Sequence, residues 1–76
     1  MELNEFVAKF ADLFEDTDTS NFCGSTDFRA NEEWSSLIGL SVIAMVDEEY
    51  DVALKGDDVK KAKTIEYLFN TVKSKM

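Results

Sequence analysis

Residues 16–33 decide how the rest of this chain has to be used. Asp, Thr, Ser, Asn and Gly dominate that stretch. Their short polar side chains bond to nearby backbone, in competition with helix and sheet. The pattern predicts a long loop in a chain of only 76 residues. Such loops are uncommon in small domains, and are either functional or packed down by their own side chains. Phe22 and Phe28 are the apolar anchors available to pin it. The remaining segments must then build one core, and a core of this size is marginal because small folds bury a low fraction of their surface. A hydrophobic content of 45% suffices for a compact helical fold and is too high for a disordered chain. Residues 1–76 are therefore expected to form a single domain.

The segments outside the loop read as helices. In residues 3–15, Leu3, Phe6, Val7, Phe10, Leu13 and Phe14 recur at spacings of three and four, one face of an amphipathic helix. Glu2 and Glu5 sit near its N-terminal end, where carboxylates are favourable. The second helix is expected from Ser36 to Tyr50, with Leu37, Leu40, Ile43, Val46 (or Met45) and Tyr50 at helical spacing. Ile38, Val42 and Met45 widen that face, so this helix is either central in the core or exposes apolar surface to a partner. Gly39 and Ser41 are small enough to let another chain or a prosthetic group approach closely. Gly56 breaks the pattern, and Asp57 or Asp58 is a candidate cap for a brief helical turn through Lys61. Thr64 is the candidate cap of the last helix, where Ile65, Leu68, Phe69, Val72 and Met76 trace one face and Lys73 and Lys75 complement the C-terminal end. No segment alternates as a strand does, and the chain has no proline. The expected fold is all-α, three main helices plus one short helix in a small bundle.

Charge narrows the partners. The net charge is −8, and it is uneven: residues 1–54 hold 13 acidic and 2 basic side chains, residues 55–76 hold 3 and 6. A body this negative disfavours nucleic acid and anionic membrane, which need clustered Lys and Arg. It favours partners with basic docking patches. Cys23 is alone and there is no histidine, which argues against an internal disulfide and against zinc. Residues 1–20 show no signal pattern, and no apolar run is long enough to span a membrane. A soluble protein of the reducing cytoplasm is expected.

The best handle for chemistry is Ser36, at the start of the second helix. Backbone N–H groups there lack internal partners and the helix dipole favours negative charge, which suits a phosphate. No general base is in view and Gly-x-Ser-x-Gly is absent, so the serine reads as an attachment point and not as a nucleophile. Either Ser35 or Ser36 can serve as the N-cap.

The order of these features resembles the acyl carrier protein family: a helix, a long loop with an anchoring Phe28, Ser36-Leu37 opening a helix, Glu48-Glu49-Tyr50 closing it, a short helix, and Thr64-Ile65 opening the last. The resemblance covers nearly the whole chain. It implies an acyl-carrier-like bundle that catalyses nothing itself. In that family the serine of an Asp-Ser-Leu motif receives 4′-phosphopantetheine from coenzyme A, and acyl groups ride on the terminal thiol as thioesters. Carried over, Ser36 bears the arm. Leu37, Leu40, Ser41, Asp47 and Glu48 form the docking surface for a phosphopantetheinyl transferase and for acyl-loading and acyl-processing enzymes. A monomer serving fatty-acid, polyketide or related specialised biosynthesis is implied, with the acyl chain inserted between helices. Ser35 stands where the family has aspartate, the glycine that often precedes the motif is missing, and Trp34 matches a Trp-Asp-Ser-Leu form of some stand-alone carriers. Ile38 and Ser41 stand where housekeeping carriers have acids, which makes a specialised carrier the expectation. The alternative is an all-α interaction module that keeps this fold unmodified.

Other features have plainer readings. Asp47, Glu48 and Glu49 are either a docking patch or a solvated helix end, where acids oppose the dipole. Asp16-x-Asp18-x-Ser20 with Asp27 resembles the start of a calcium loop, but Asn21 stands where its sharp turn needs glycine, so a solvated loop is expected. Cys23 is expected to be half-buried, without a cation to lower its pKa. Trp34 is expected to pack over the start of the second helix.

Overall fold

The computed structural model describes residues 2–76. Four α-helices follow in order, α1 Leu3–Ala11, α2 Ser36–Tyr50, α3 Gly56–Lys61 and α4 Ile65–Lys75, with a 3-10 turn at Phe28–Ala30. No strand occurs among the described residues. Three main helices and one short one thus surround a single core, as the periodicity predicts. No helix among the described residues is long and apolar enough to cross a membrane.

Helix α1 buries Phe6, Val7 and Phe10, with Glu5 in its first turn and Lys9 in its last, both favourable to its dipole. It ends at Ala11, not at residue 15. The amides of Leu13 and Phe14 bond to Phe10 and Ala11, three residues back, at 3.2 and 3.0 Å. These tight turns stop the helix yet still bury Phe14. The apolar period therefore identifies the core residues but overruns the helix end.

Both predicted anchors hold the loop. Phe28 is fully buried, edge-on to Phe10 at 5.0 Å, and Phe22 stands edge-on to Phe14 at 5.3 Å. Each such aromatic pair adds about 0.5–1.5 kcal/mol beyond its area burial. The loop backbone also finishes α4. The carbonyls of Gly24 and Thr26 accept from the amides of Glu66 and Ile65 at 2.8 and 3.3 Å, partners that a helix start otherwise lacks. Gly24 eases that approach, since a Cβ there would lie 3.3 Å from Glu66 Cβ and 3.0 Å from Leu3 Cδ2.

Helix α4 buries Ile65, Leu68, Phe69 and Val72, and Thr64 caps it by accepting from Tyr67 N–H at 3.1 Å. Met76 lies past the helix end and is exposed, so the stripe stops at Val72. Helix α1 packs on α4 and on the end of α2, where Phe6 meets Phe69 at 5.6 Å and Tyr50 at 5.9 Å. Lys9 adds an ion pair to Glu49 at 3.1 Å. After α2 the chain turns at Asp51, the one non-glycine with positive φ (54°) among the described residues. It then runs without regular structure to α3, burying Val52 and Leu54. Neither Asp57 nor Asp58 is the N-cap of α3. Lys55 holds that place, and Asp58 accepts its N–H at 3.0 Å from one turn inside. That bond and the nearby Lys75 ammonium keep the Asp58 carboxyl below its usual range.

Candidate functional site

Helix α2 begins at Ser36 because Ser35 is its cap. Ser35 is extended, with φ −154° and ψ 172°, and its hydroxyl accepts from Ile38 N–H at 3.4 Å. Ser36 is the first helical residue and is exposed, its hydroxyl free of the capping role. The first turn of α2 carries no acidic side chain. A phosphate at Ser36 would therefore meet unpartnered amides and no like charge from that turn.

The face of α2 turned to the core is Ile38, Gly39, Val42 and Val46. This corrects the stripe read from Leu37 and Leu40. Those two leucines are 73% and 64% exposed. Among the described residues the other large apolar side chains are put away, Tyr67 and Met76 excepted. Residues four or seven apart lie close together along one side of a helix. Ser36, Leu40 and Asp47 thus run along one side of the exposed surface, and Leu37, Ser41 and Glu48 along the next. The structure brings all six candidate residues onto one outward side of α2. The Ser41 hydroxyl is turned back to the Leu37 carbonyl at 3.2 Å. Glu49, by contrast, is committed to Lys9.

Trp34 packs where the sequence suggests. Its ring stands edge-on to Phe28 at 4.7 Å and stacks with Phe14 at 6.4 Å. It lies 3.7 Å from the place a Cβ on Gly39 would take, so Gly39 is the seat of the indole. Beside it runs a groove of about 320 Å³ between the start of α2 and α3. Trp34, Leu40, Ile43 and Val59 give it apolar lining, and Ser36, Arg29 and Lys60 also line it. The Arg29 guanidinium donates to the Lys60 carbonyl, tying the 3-10 turn to α3. Sequence patterns do not single out Arg29 or Lys60, because their contact spans 31 positions.

The calcium reading finds no support in the local geometry. Asp18 accepts from Ser20 N–H at 3.0 Å and Asp27 from Arg29 N–H at 3.1 Å, each closing its own turn. No group of three or more His, Cys, Asp or Glu suited to a metal occurs among the described residues. Cys23 is exposed and not half-buried. Hydroxyls take the place of the missing cation: Ser25 and Thr26 lie 3.2 and 3.7 Å from its sulfur and draw its pKa down.

No protein-family model, curated protein or solved structure matches this chain.

Proposed function

We propose that the chain is a carrier protein that holds acyl groups on a 4′-phosphopantetheine arm attached to Ser36 and hands them to successive enzymes. One observation carries the reading: an exposed first-turn serine is followed by two exposed leucines, one and four residues on, on a helix whose other large apolar side chains are at least partly covered. A binding enzyme would find an apolar foothold at Leu37 and Leu40 beside the hydroxyl it modifies. Asp47 and Glu48 supply negative charge further along the same helix for basic partners. When bound, the arm supplies a terminal thiol for thioester chemistry. The chain's own share is to present the hydroxyl, to leave its neighbourhood free of like charge, and to offer the groove beside Trp34. The carrier itself catalyses nothing, and a cytoplasmic biosynthetic setting suits its acidic surface and lone cysteine.

The test uses the full chain, coenzyme A and several phosphopantetheinyl transferases, read by intact mass. The expected result is a gain of one phosphopantetheine that disappears in Ser36→Ala. No gain, beside a control carrier that is modified, overturns the reading. It would favour the second one, an unmodified interaction module, for which the uncharged Ser35 and the same exposed leucines also speak.

A further inference from the structure

Ser35 and Ser36 pose a problem of choice. Serine is among the best N-caps, and the two are adjacent and chemically identical. If α2 began one residue later, Ser36 would become the cap. Its hydroxyl would then be bound to a backbone N–H of the first turn and lost to any other chemistry. Nothing local to the two serines decides between these starts.

The decision is made by the segment before them. The Glu33 carboxylate accepts from Glu15 N–H at 3.0 Å, from Asp16 N–H at 3.2 and 3.3 Å, and from the Thr17 hydroxyl at 2.6 Å. Its own N–H is held by Asn31 Oδ1 at 2.8 Å, and Trp34 N–H by the Asn31 carbonyl at 3.1 Å. Residues 31–34 are thereby strapped to the chain leaving α1. The next side chain, Trp34, is wedged among Phe14, Phe28 and Gly39. A strap on one side and a wedge on the other fix where the extended chain must end. Ser35 is the first residue past that point.

We propose that Glu33 is a positioning residue which makes Ser35 the cap of α2 and thereby keeps the Ser36 hydroxyl free. The structural half stands alone; its consequence for loading rests on the carrier reading. The titratable groups around Glu33 are Glu15, Asp16 and Glu32, all carboxylates, and the two ion pairs among the described residues lie elsewhere. The strap is held by hydrogen-bond donors alone. The Thr17 hydroxyl and the two backbone amides draw the Glu33 carboxyl below its usual range.

Glu33→Gln removes the charge and turns amide hydrogens toward those donors. In the isotopically labelled full-length variant, the Ser36 carbon chemical shifts should move from helical toward extended values. The methyl shifts of Leu68 and Val72 should stay in place. Loading of the variant should show a raised KM for the carrier at little-changed kcat, by about 2- to 30-fold, the range a capping interaction spans. Ser35→Ala leaves the strap in place and should keep the Ser36 shifts helical, and extended Ser36 shifts there overturn the inference. Helical Ser36 shifts in Glu33→Gln overturn the inference, whether or not the wild type is loaded. A moved Ser36 with no loading of the wild type overturns the carrier reading alone. Should Glu33→Gln fail to fold, acid titration of the wild type decides. The pKa is depressed, so the strap is complete above the usual glutamate range and is lost as pH falls through the Glu33 value. Ser36 shifts must follow the Glu33 carboxyl with one midpoint, and independent midpoints overturn the inference.

Discussion

Helices α2 and α4 are both capped by a hydroxyl residue, and they use their apolar side chains in opposite ways. Helix α4 puts Ile65, Leu68, Phe69 and Val72 into the core and leaves mostly polar residues outside, with Tyr67 the half-exposed exception. Its own period settles its orientation. Helix α2 is apolar nearly all round, and buries a row with Gly39 in it while two leucines face solvent. Its period allows more than one orientation. The choice comes from outside the helix, from the indole seated on Gly39 and the buried rings beneath it. The contrast separates a helix shaped by its own core from one whose surface is left for something else.

The sharpest way to break this contrast is to open a cavity under α4. Leu68→Ala should cost about 2–5 kcal/mol, because a fully buried leucine leaves a cavity. Urea unfolding should show this as a large fall in midpoint. A loss below about 1 kcal/mol would mean that α4 is not the anchored helix. The caps come next. Thr64→Ala should cost about 1 kcal/mol by the same measurement. Ser35→Ala should cost less, since its 3.4 Å contact is longer than the 3.1 Å contact of Thr64.

The helix ends supply a smaller effect of opposite sign. Asp51 closes α2 in the left-handed region. That conformation costs an ordinary residue about 1–2 kcal/mol, against about 0.5–1 kcal/mol for the extra freedom of glycine in the unfolded chain. Aspartate tolerates that region better than most residues, so Asp51→Gly should raise stability by no more than about 1 kcal/mol, seen as a higher thermal midpoint. The smallest effect is on the exposed leucines. Leu37→Ser with Leu40→Ser should change stability by no more than about 0.5 kcal/mol. The same pair should slow phosphopantetheine loading measured by mass. Strong destabilisation there would place these leucines in the core and erase the contrast.

The parts of this molecule that follow from local pattern were legible in the sequence. The bounds of α2, the Thr64 cap, the buried face of α4 and the two loop phenylalanines all rest on neighbours a few positions apart. The end of α1 was not legible, because two three-residue turns bury Phe14 without extending the helix. The orientation of α2 was misread because its apolar residues outnumber the core places available to them. The Glu33 strap was invisible for another reason: its partners lie 16 to 18 positions away and include backbone amides that have no sequence signature. Ser36 stood out from its place at the start of α2, whereas its freedom from the cap depends on that distant strap.

Trp34 has a further use. It is the sole tryptophan of the chain, and it lines the same groove as Ser36 while contacting the ring that holds the loop. Light absorbed at the red edge of the protein spectrum is thus emitted from one known place, next to the candidate attachment point. Occupation of the groove would change the water around that indole and with it the colour and lifetime of the emission. The molecule comes with an optical gauge already installed, and events at Ser36 can be followed in time on the unlabelled wild-type chain.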